Sequence, residues 1–496
     1  MRLTGRGRAA KPALMLDLRP VGYVIGLLVA VLGVTMLIPM GVDLWDGNPN
    51  WSAFLESALV TGLTGAMVAL ACASGSDGGL SIRQTFLLTS AVWLALPVFA
   101  GLPFVLGLPE ARPVDAFFEA MSGLTTTGAT VFTGLDALPR GTLMWRSMLQ
   151  WFGGIGIIVV AMVFLPELKV GGMQIFRSEA FETGGKVLPR AVEIAAQISG
   201  IYLFLTIACM LCFTAVGMPL FDALNHALTT VSTGGFSTHD ASFGLYQGVP
   251  EYVASVFMVL ASLPFVRYVQ LLAGQARPIL RDSQIWTYLS VIAAFVLIIA
   301  AFRVFANGDH YEHAFREGVF NVTSIISGTG FASTDYQLWG ALPVILFFFI
   351  GLIGGCAGST ACSIKIFRYQ LLFSAIRVQI KSIYAPHGIF QPRYDGRRVD
   401  EDVLSSVMSF FVYFVVALGI VSVLLGATGL DATTALSGAA TTLGNIGPGL
   451  GDQIGPSGNF AGLNDIAKWI LSMAMFVGRL ELLVVFAIFT VQFWRA

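Results

Sequence analysis

The sequence predicts an all-α polytopic membrane protein with about ten transmembrane helices. Three observations support this fold class: 56% of the 496 residues are hydrophobic, only 11% are charged, and the mean hydropathy is +0.78. Soluble domains carry about 25% charged residues, so this composition excludes a soluble nucleic-acid-binding protein, a coiled coil and a disordered scaffold. The net charge of −1 points to no particular partner.

The first apolar run follows a basic N-terminus. Residues 1–20 contain five Arg and Lys side chains, and residues 21–40 supply the roughly 20 apolar positions that one span requires. The run is longer than the apolar core of a signal peptide, and no small-residue cleavage site follows it, so we expect a retained span. By the positive-inside rule, we expect the basic segment in the cytoplasm.

Nine further apolar stretches follow the first. They lie at about 54–73, 84–108, 142–166, 193–217, 249–274, 285–305, 338–375, 402–427 and 464–494. An even total of ten spans places both termini in the cytoplasm. Basic residues are concentrated in the segments that this topology places inside, above all in 376–401, which supports the orientation.

Four short Gly/Thr/Ser-rich segments lie between alternate spans. They read DAFFEAMSGLTTTGAT (115–130), DALNHALTTVSTGGFS (222–237), EGVFNVTSIISGTGFA (317–332) and DATTALSGAATTLGNI (431–446). They align without a gap on Gly128, Gly235, Gly330 and Gly444, and an acid lies thirteen residues before each glycine. This repetition predicts four units of helix, short helix, loop and helix in fourfold pseudosymmetry, preceded by an N-terminal helix pair.

The short helix of each unit is expected to have its acid as the N-cap and to end at the glycine loop. A bilayer tolerates irregular backbone only where protein buries it or where it lines a watery cavity. Four such loops that meet around one axis predict a pore ringed by backbone carbonyls, which replace the hydration shell of a cation. Glycine leaves no side chain in that path. The alternative is that these glycines only let helices pack closely.

Two further features lie within apolar sequence. The stretch from about 339 to 383 is around twice the length of one span, and Gly354, Gly355 and Gly358 are expected to break it. Arg479 lies about 22 Å into the last span at 1.5 Å per residue, where a charge costs at least ~2.5 to 3.5 kcal/mol. We expect Arg479 to face the pore or a buried acid. A kinked packing helix and a purely structural arginine are the alternatives.

Taken together, these residues resemble the Trk/Ktr/HKT superfamily of potassium transporters, and specifically the TrkH-type membrane subunits of the bacterial Trk system. The resemblance covers nearly the whole chain and rests on the four glycine segments and on three motifs, Gln150–Gly156, Gly354–Thr360 and Gly478–Glu481. It implies a channel-like potassium uptake pore in the bacterial inner (cytoplasmic) membrane, with a four-glycine selectivity filter. The potassium-binding residues that it implies are Thr126, Thr127, Gly128, Thr233, Gly234, Gly235, Phe236, Gly328, Thr329, Gly330, Leu443, Gly444 and Asn445.

The resemblance also implies an intramembrane gate at the break and a pore charge at Arg479. The implied gate residues are Gly354, Gly355, Cys356, Ala357, Gly358, Ser359, Thr360 and Lys365. The family often has a glycine run before this lysine, whereas Ala361–Ile364 stands here, so we expect the flexibility of the loop to differ. A serine at the first filter glycine goes with sodium transport in this superfamily, so Gly128 implies potassium.

The resemblance further implies partners. It implies a homodimer, and a peripheral cytoplasmic nucleotide-binding subunit of the TrkA type that docks on the basic segment 376–401. The alternative for this segment is an ordinary positive-inside loop. A potassium symporter coupled to protons or sodium is the alternative function, because it would share the fold. The lipid bilayer is also an expected partner, and nucleic acid is not.

No enzyme site and no resident cofactor are expected in this chain. The glycine-rich run Gly447–Gly451 lacks a strand, loop and helix context, and no P-loop motif occurs. The five cysteines show neither a disulfide framework nor zinc-ligand spacing, and Cys362 is interpreted as a small buried cysteine. The expected organisation is a cytoplasmic N-terminus (1–20), an N-terminal transmembrane hairpin (21–75), and pore repeats at 84–166, 193–274, 285–383 with the gating loop, and 402–496.

Overall fold

The computed structural model describes residues 17–75, 80–160, 172, 187–480 and 483–495. Within these ranges the chain is mostly helical, which confirms the predicted all-α class. The strands in the same ranges are β1 (Arg393–Tyr394) and β2 (Arg397–Arg398), which form an antiparallel hairpin. Most of the predicted cytoplasmic N-terminus at 1–20 lies outside the described residues.

An N-terminal hairpin precedes the repeats. It comprises α1 (Arg19–Thr35), α2 (Leu37–Trp45) and α3 (Trp51–Cys72). Helices α1 and α3 pack at backbone contact distance, since a Cβ atom built on Gly65 would lie 2.3 Å from the amide nitrogen of Ala30. Small residues allow such close approach between membrane helices.

Four repeats follow, and each contains a long helix, a short helix and a second helix. The first comprises α4 (Ile82–Ala100), α5 (Leu102–Leu106), α6 (Pro113–Leu124) and α7 (Arg140–Val159). The second comprises α8 (Val187–Ala215), α9 (Leu220–Val231), α10 (Val249–Ala261) and α11 (Phe265–Leu272). The third comprises α12 (Arg277–Arg281), α13 (Ser283–Phe302), α14 (Tyr311–Ser327), α15 (Ala341–Ile353) and α16 (Ile366–Tyr384). The fourth comprises α17 (Glu401–Ala427), α18 (Ala432–Gly444), α19 (Asp465–Arg479), α20 (Leu483–Ile488) and α21 (Val491–Arg495).

Every one of the ten predicted apolar stretches contains a helix. Among the described residues, six helices are long and apolar enough to cross a membrane, or seven if α10 and α11, which are bent by 85°, count as one span. Two of the remaining stretches are interrupted, because α15 ends at Ile353 and α19 ends at Arg479. The third remaining stretch forms α7, which is not among the seven and carries two charged residues, Arg140 and Arg146.

The short helices α6, α9, α14 and α18 close the repeats into a ring. Helix α9 packs against α7, α14 against α10, α18 against α15, and α6 against α19. Each short helix therefore contacts the second helix of the preceding repeat, and the first repeat contacts the fourth. This cyclic order brings the ends of all four short helices together.

Contacts between ionisable side chains cross three of the seams between repeats. They join Lys468 to Asp115, Arg316 to Glu251, and His239 to Asp136. The last pair lies in loops outside the membrane-spanning helices, where the hydrogen bond from His239 keeps the pKa of the Asp136 carboxyl below its ordinary value. These seams are thus stabilised by polar side-chain contacts as well as by apolar packing.

The prediction that each repeat acid is a helix N-cap is correct only for Asp431, which accepts a hydrogen bond of 3.0 Å from the Thr434 amide. Asp115 and Asp222 lie inside the first turns of α6 and α9. Glu317 lies well inside α14 and pairs with Arg303 at 2.7 Å. The prediction is wrong for these three because their helices begin earlier than the glycine spacing indicated.

Candidate functional site

The four short helices end in turns of the same geometry. The first residue of each turn has left-handed backbone angles: φ is 52° at Thr126, 51° at Thr233, 75° at Gly328 and 49° at Asn445. The amide of the next residue donates to a carbonyl in the last helical turn, with distances of 2.8 to 2.9 Å for the bonds Thr127 to Ser122, Gly234 to Thr229, Thr329 to Ser324 and Ile446 to Thr441. Left-handed C-terminal caps have this pattern.

A glycine with positive φ completes each turn: φ is 83° at Gly128, 79° at Gly235, 79° at Gly330 and 112° at Gly447. We call residues 126–128, 233–235, 328–330 and 445–447 ring turns 1 to 4. Glycine suits these third positions because other residues adopt such angles only at a cost.

The structure corrects the fourth member of the predicted filter. Gly444 is the last residue of α18, and Gly447 occupies the position that Gly128 occupies in ring turn 1. Leu124 and Leu443, each four residues before these glycines, confirm this register. A Cβ atom built on Gly153 would lie 1.8 Å from the Leu124 carbonyl oxygen, and one built on Gly478 would lie 2.2 Å from that of Leu443. Leu443 and Gly444 therefore belong to the helix and not to the turn.

Each ring glycine faces a carbonyl oxygen of the neighbouring turn. A Cβ atom built on Gly128 would lie 2.2 Å from the oxygen of Gly234, and one on Gly235 would lie 1.9 Å from that of Thr329. The same construction on Gly330 and Gly447 gives 1.9 Å to Ile446 and 2.9 Å to Thr127. The contacts run from turn 1 to 2, 3, 4 and back to 1, so the ring is closed.

All four ring glycines border one cavity of about 200 Å³. Its lining also includes Arg146, His239 and Asp240. All four ring turns therefore meet at a single space.

Sequence reasoning missed the side chains that support the ring turns. Each short helix carries a buried polar residue. Its side chain forms a hydrogen bond with the backbone or side chain of a residue two or three positions after the ring glycine. Glu119 accepts from the Val131 amide at 2.9 Å, His226 bonds the Ser237 hydroxyl at 3.0 Å, Asn321 donates to the Ser333 hydroxyl at 2.9 Å, and Ser437 accepts from the Leu450 amide at 2.9 Å. The sequence signal was a polar residue at a similar place in every short helix.

Gln150 supports ring turn 2 from α7. Its Nε2 donates to the carbonyl oxygen of Gly234 at 2.6 Å, and its Oε1 accepts from the amide of Phe236 at 3.0 Å. The side chain is fully buried. This contact gives a structural role to the first residue of the predicted motif Gln150–Gly156.

We expect Gln150→Leu to disturb ring turn 2, because two buried backbone groups lose their partners at about 1 to 3 kcal/mol each. The check is the potassium-to-sodium flux ratio of purified protein in vesicles, which should fall. Gln370→Leu is the matched control, since Gln370 donates to Ser283 and Thr287 away from the ring. An unchanged ratio in Gln150→Leu would contradict the supporting role.

The predicted break in the third repeat is a loop between α15 and α16. Gly354 ends α15 with φ of 79°, and Lys365 precedes α16 with φ of 76°. The loop is held in the bend between α10 and α11: the Cys356 amide donates to Ser262 at 3.1 Å, and the Phe265 amide donates to Gly358 at 2.9 Å. The loop is thus fixed by backbone bonds to the second repeat.

The far end of this loop, residues 361–363, lies against the ring turns. The Cys362 Sγ is 3.7 Å from the Thr126 hydroxyl, and a Cβ atom on Gly328 would lie 3.1 Å from the Cys362 Cβ. The same Cβ atom would lie 3.3 Å from the Asn445 carbonyl oxygen. The loop therefore abuts ring turns 1 and 3, and turn 3 contacts turn 4 at the same place.

Arg479 reaches the same place from the last repeat. It is 5% exposed, and its Nη1 donates to Cys362 Sγ at 2.6 Å while its Nη2 donates to the Gly153 carbonyl at 3.4 Å. Its guanidinium carbon lies 5.9 Å from the centre of the Trp93 ring. No acid pairs with it among the described residues, and Glu481 of the predicted motif lies outside them. In the part of the chain that the structure describes, Arg479 thus contacts the loop and no buried carboxylate.

Comparison with known proteins identifies the family. A model of the TrkH family, described as a cation transport protein, matches residues 53–494. The chain belongs to the TrkH family. The resemblance seen in the sequence is therefore confirmed, and the TrkH family is a transport family rather than a family of enzymes.

Individual members of the TrkH family match along almost their whole length. The Trk system potassium uptake protein TrkI of Halomonas elongata is 39% identical over 96% of this chain and 97% of its own. The Trk system potassium uptake protein TrkH of Escherichia coli K12 is 35% identical over 96% and 99%. The crystal structure of the potassium transporter TrkH from Vibrio parahaemolyticus superposes with a TM-score of 0.89 at 33% identity, covering 97% of this chain and 100% of that one.

Proposed function

We propose that this chain takes up potassium across a bacterial cytoplasmic membrane through a channel-like pore whose filter is the ring of four turns. The observation that carries the proposal is the closed ring of positive-φ glycines that borders a single cavity. Potassium as the ion is supported by relatives that are named potassium uptake proteins and that match this chain over nearly their full length. Backbone oxygens can replace the hydration shell of such a cation.

The proposed potassium-binding residues follow the corrected register. In turns 1 to 3 they remain those predicted from the sequence, with Phe236 after turn 2. In turn 4 they are Asn445, Ile446 and Gly447. Leu443 and Gly444 are not among them, because both lie in α18. The turns differ in sequence, so we expect fewer equivalent ion sites than in a filter made of four identical chains.

The proposed gate is the loop from Gly354 to Lys365. It abuts ring turns 1 and 3, so an ion that leaves the filter meets it at once. Potassium then passes only if the loop moves, and the membrane potential contributes about 2.3 kcal/mol per charge per 100 mV to inward flow. Arg479, which donates to Cys362, ties the loop to the last repeat and sets a positive charge beside the path.

The topology and partners complete the proposal. Both termini lie in the cytoplasm, and the basic hairpin Arg393–Arg398 is placed there by the positive-inside rule. A homodimer and a peripheral nucleotide-binding subunit of the TrkA type, docked on this basic segment, would make the chain the membrane subunit of a larger system. Exposed Arg side chains on both strands support a charged docking surface.

We expect purified protein in proteoliposomes to conduct potassium in preference to sodium, and Gly128→Ser to reduce that preference strongly. The Cβ atom of serine would fall 2.2 Å from the Gly234 oxygen, so turns 1 and 2 must move apart. The measurement is isotope or fluorescent-indicator flux of each cation at a fixed potential. Gly248→Ser is the control, because this glycine has positive φ but open space around its Cβ position.

Two outcomes would contradict the pore. Unchanged potassium-to-sodium selectivity in Gly128→Ser would show that Gly128 is not part of the filter. Uphill potassium movement driven only by a proton or sodium gradient would establish a coupled symporter in its place.

A further inference from the structure

We propose that Cys362 is an oxidation site that closes the pore, and that Arg479 donates a hydrogen bond to the oxygen atom that oxidation adds to the sulfur. The effect on flux rests on the proposed function, whereas the oxidation itself does not. The thiol lies between ring turn 1 and the last repeat, with Thr126 on one side and the Arg479 guanidinium on the other. Cys362 is therefore the residue through which the loop contacts both ring turn 1 and the last repeat.

Arg479 provides the second half of the site. Its Nη1 already donates to the Cys362 sulfur, and its Nε is buried without a hydrogen-bond partner among the described residues. A buried guanidinium N–H without an acceptor costs free energy, so an oxygen placed on the neighbouring sulfur would gain a charge-assisted hydrogen bond. The geometry therefore stabilises the oxidised form of Cys362 more than an apolar site would stabilise the oxidised form of a cysteine.

The oxidant that fits is a small peroxide, which can follow water along an ion path. The Cys362 sulfur attacks one oxygen of hydrogen peroxide, an S–O bond forms, and the O–O bond breaks. The sulfur is oxidised to a sulfenic acid, and the second oxygen leaves as water with the thiol proton. A dithiol reverses the change, since its two S–H groups become a disulfide while the sulfenic oxygen leaves as water.

Oxidation should hold the gate shut. The added oxygen can accept from Arg479, and it enlarges the side chain that already abuts ring turn 1. The loop is anchored at its other end to the bend between α10 and α11, so a stronger tie at Cys362 fixes both ends. The sequence alone indicates a small buried cysteine at position 362, and the contact with Arg479 adds the second group of the site.

The test treats the full chain in proteoliposomes with hydrogen peroxide and follows potassium flux and dimedone labelling of each cysteine by mass spectrometry. We expect Cys362 to be labelled, flux to fall at least roughly tenfold because a tie and added bulk obstruct the path, and dithiothreitol to restore it. The flux of Cys362→Ser should be the same with and without peroxide. Cys212→Ser, which removes an exposed cysteine on α8, should respond like the unmodified chain. Arg479→Gln should leave labelling possible but weaken closure.

Three results would overturn the proposal. They are an unlabelled Cys362 while Cys212 reacts, an equal loss of flux in Cys362→Ser, and a labelled Cys362 with unchanged flux. If untreated protein conducts no potassium at all, the pore proposal fails first, and the labelling experiment still decides whether Cys362 is oxidised.

Discussion

Gly447→Ala is expected to abolish potassium transport, whereas Gly444→Ala in the same segment should retain most of it. Gly447 has φ of 112°, and a Cβ atom there would lie 2.9 Å from the Thr127 carbonyl oxygen of ring turn 1. Left-handed angles cost a side chain about 1 to 2 kcal/mol before any clash is counted. Gly444 is helical, and its Cβ atom would meet the flexible Ile446 side chain at 2.8 Å, so a small rotation relieves the contact.

The measurement is potassium influx per molecule of folded protein in proteoliposomes, with size-exclusion elution as the check on folding. Gly330→Ala provides the reference for full loss, because its Cβ atom would lie 1.9 Å from a carbonyl oxygen. If Gly444→Ala lost transport and Gly447→Ala kept it, the gapless register would be right and the structural one wrong.

The sequence predicted three of the four ring turns because glycine recurs there at one spacing from an acid. It failed at the fourth because α18 continues to Gly444, and its acid is a true N-cap whereas the other three acids lie inside their helices. Asn445 was the available signal. Asparagine tolerates left-handed angles, so it marks the residue after a helix better than a glycine that the helix can absorb.

The contacts of the loop between α15 and α16 could not be predicted from the sequence. The glycines predicted a break after Ile353, and the helix does end there. What holds the loop is the backbone of Ala261 and Ser262, which belong to another repeat, and what meets its far end is Arg479. Such contacts depend on the cyclic order of the repeats, which pairs segments that are distant in the chain.

The buried pair of Glu119 and Arg146 should be the polar contact on which the ring depends most. Their side chains are 0% and 1% exposed and are joined at 2.8 Å. Glu119 accepts from the Val131 amide beyond ring turn 1, while Arg146 donates to the Ser237 carbonyl beyond ring turn 2 at 2.9 Å. The pair therefore links two neighbouring turns through buried charge.

Arg146→Met is expected to lower the free energy of unfolding by about 3 to 5 kcal/mol, because it leaves the Glu119 carboxylate buried without its counter-charge. Potassium flux should fall with it. The measurement is thermal or denaturant unfolding of the detergent-solubilised protein, alongside flux. Arg140→Met on the same helix is the matched control: its pair with Asp46 is 48% and 26% exposed, and such surface pairs contribute about 0 to 1 kcal/mol.

The double variant Glu119→Leu with Arg146→Met separates stability from positioning. Replacing both charges removes the uncompensated one, so the double variant should be more stable than Arg146→Met alone. Its flux should nevertheless stay low, because the Val131 amide and the Ser237 carbonyl would still lack their partners at the ring. Recovery of stability and flux together would mean that the pair only fills space, and that the ring turns hold their geometry through the backbone alone.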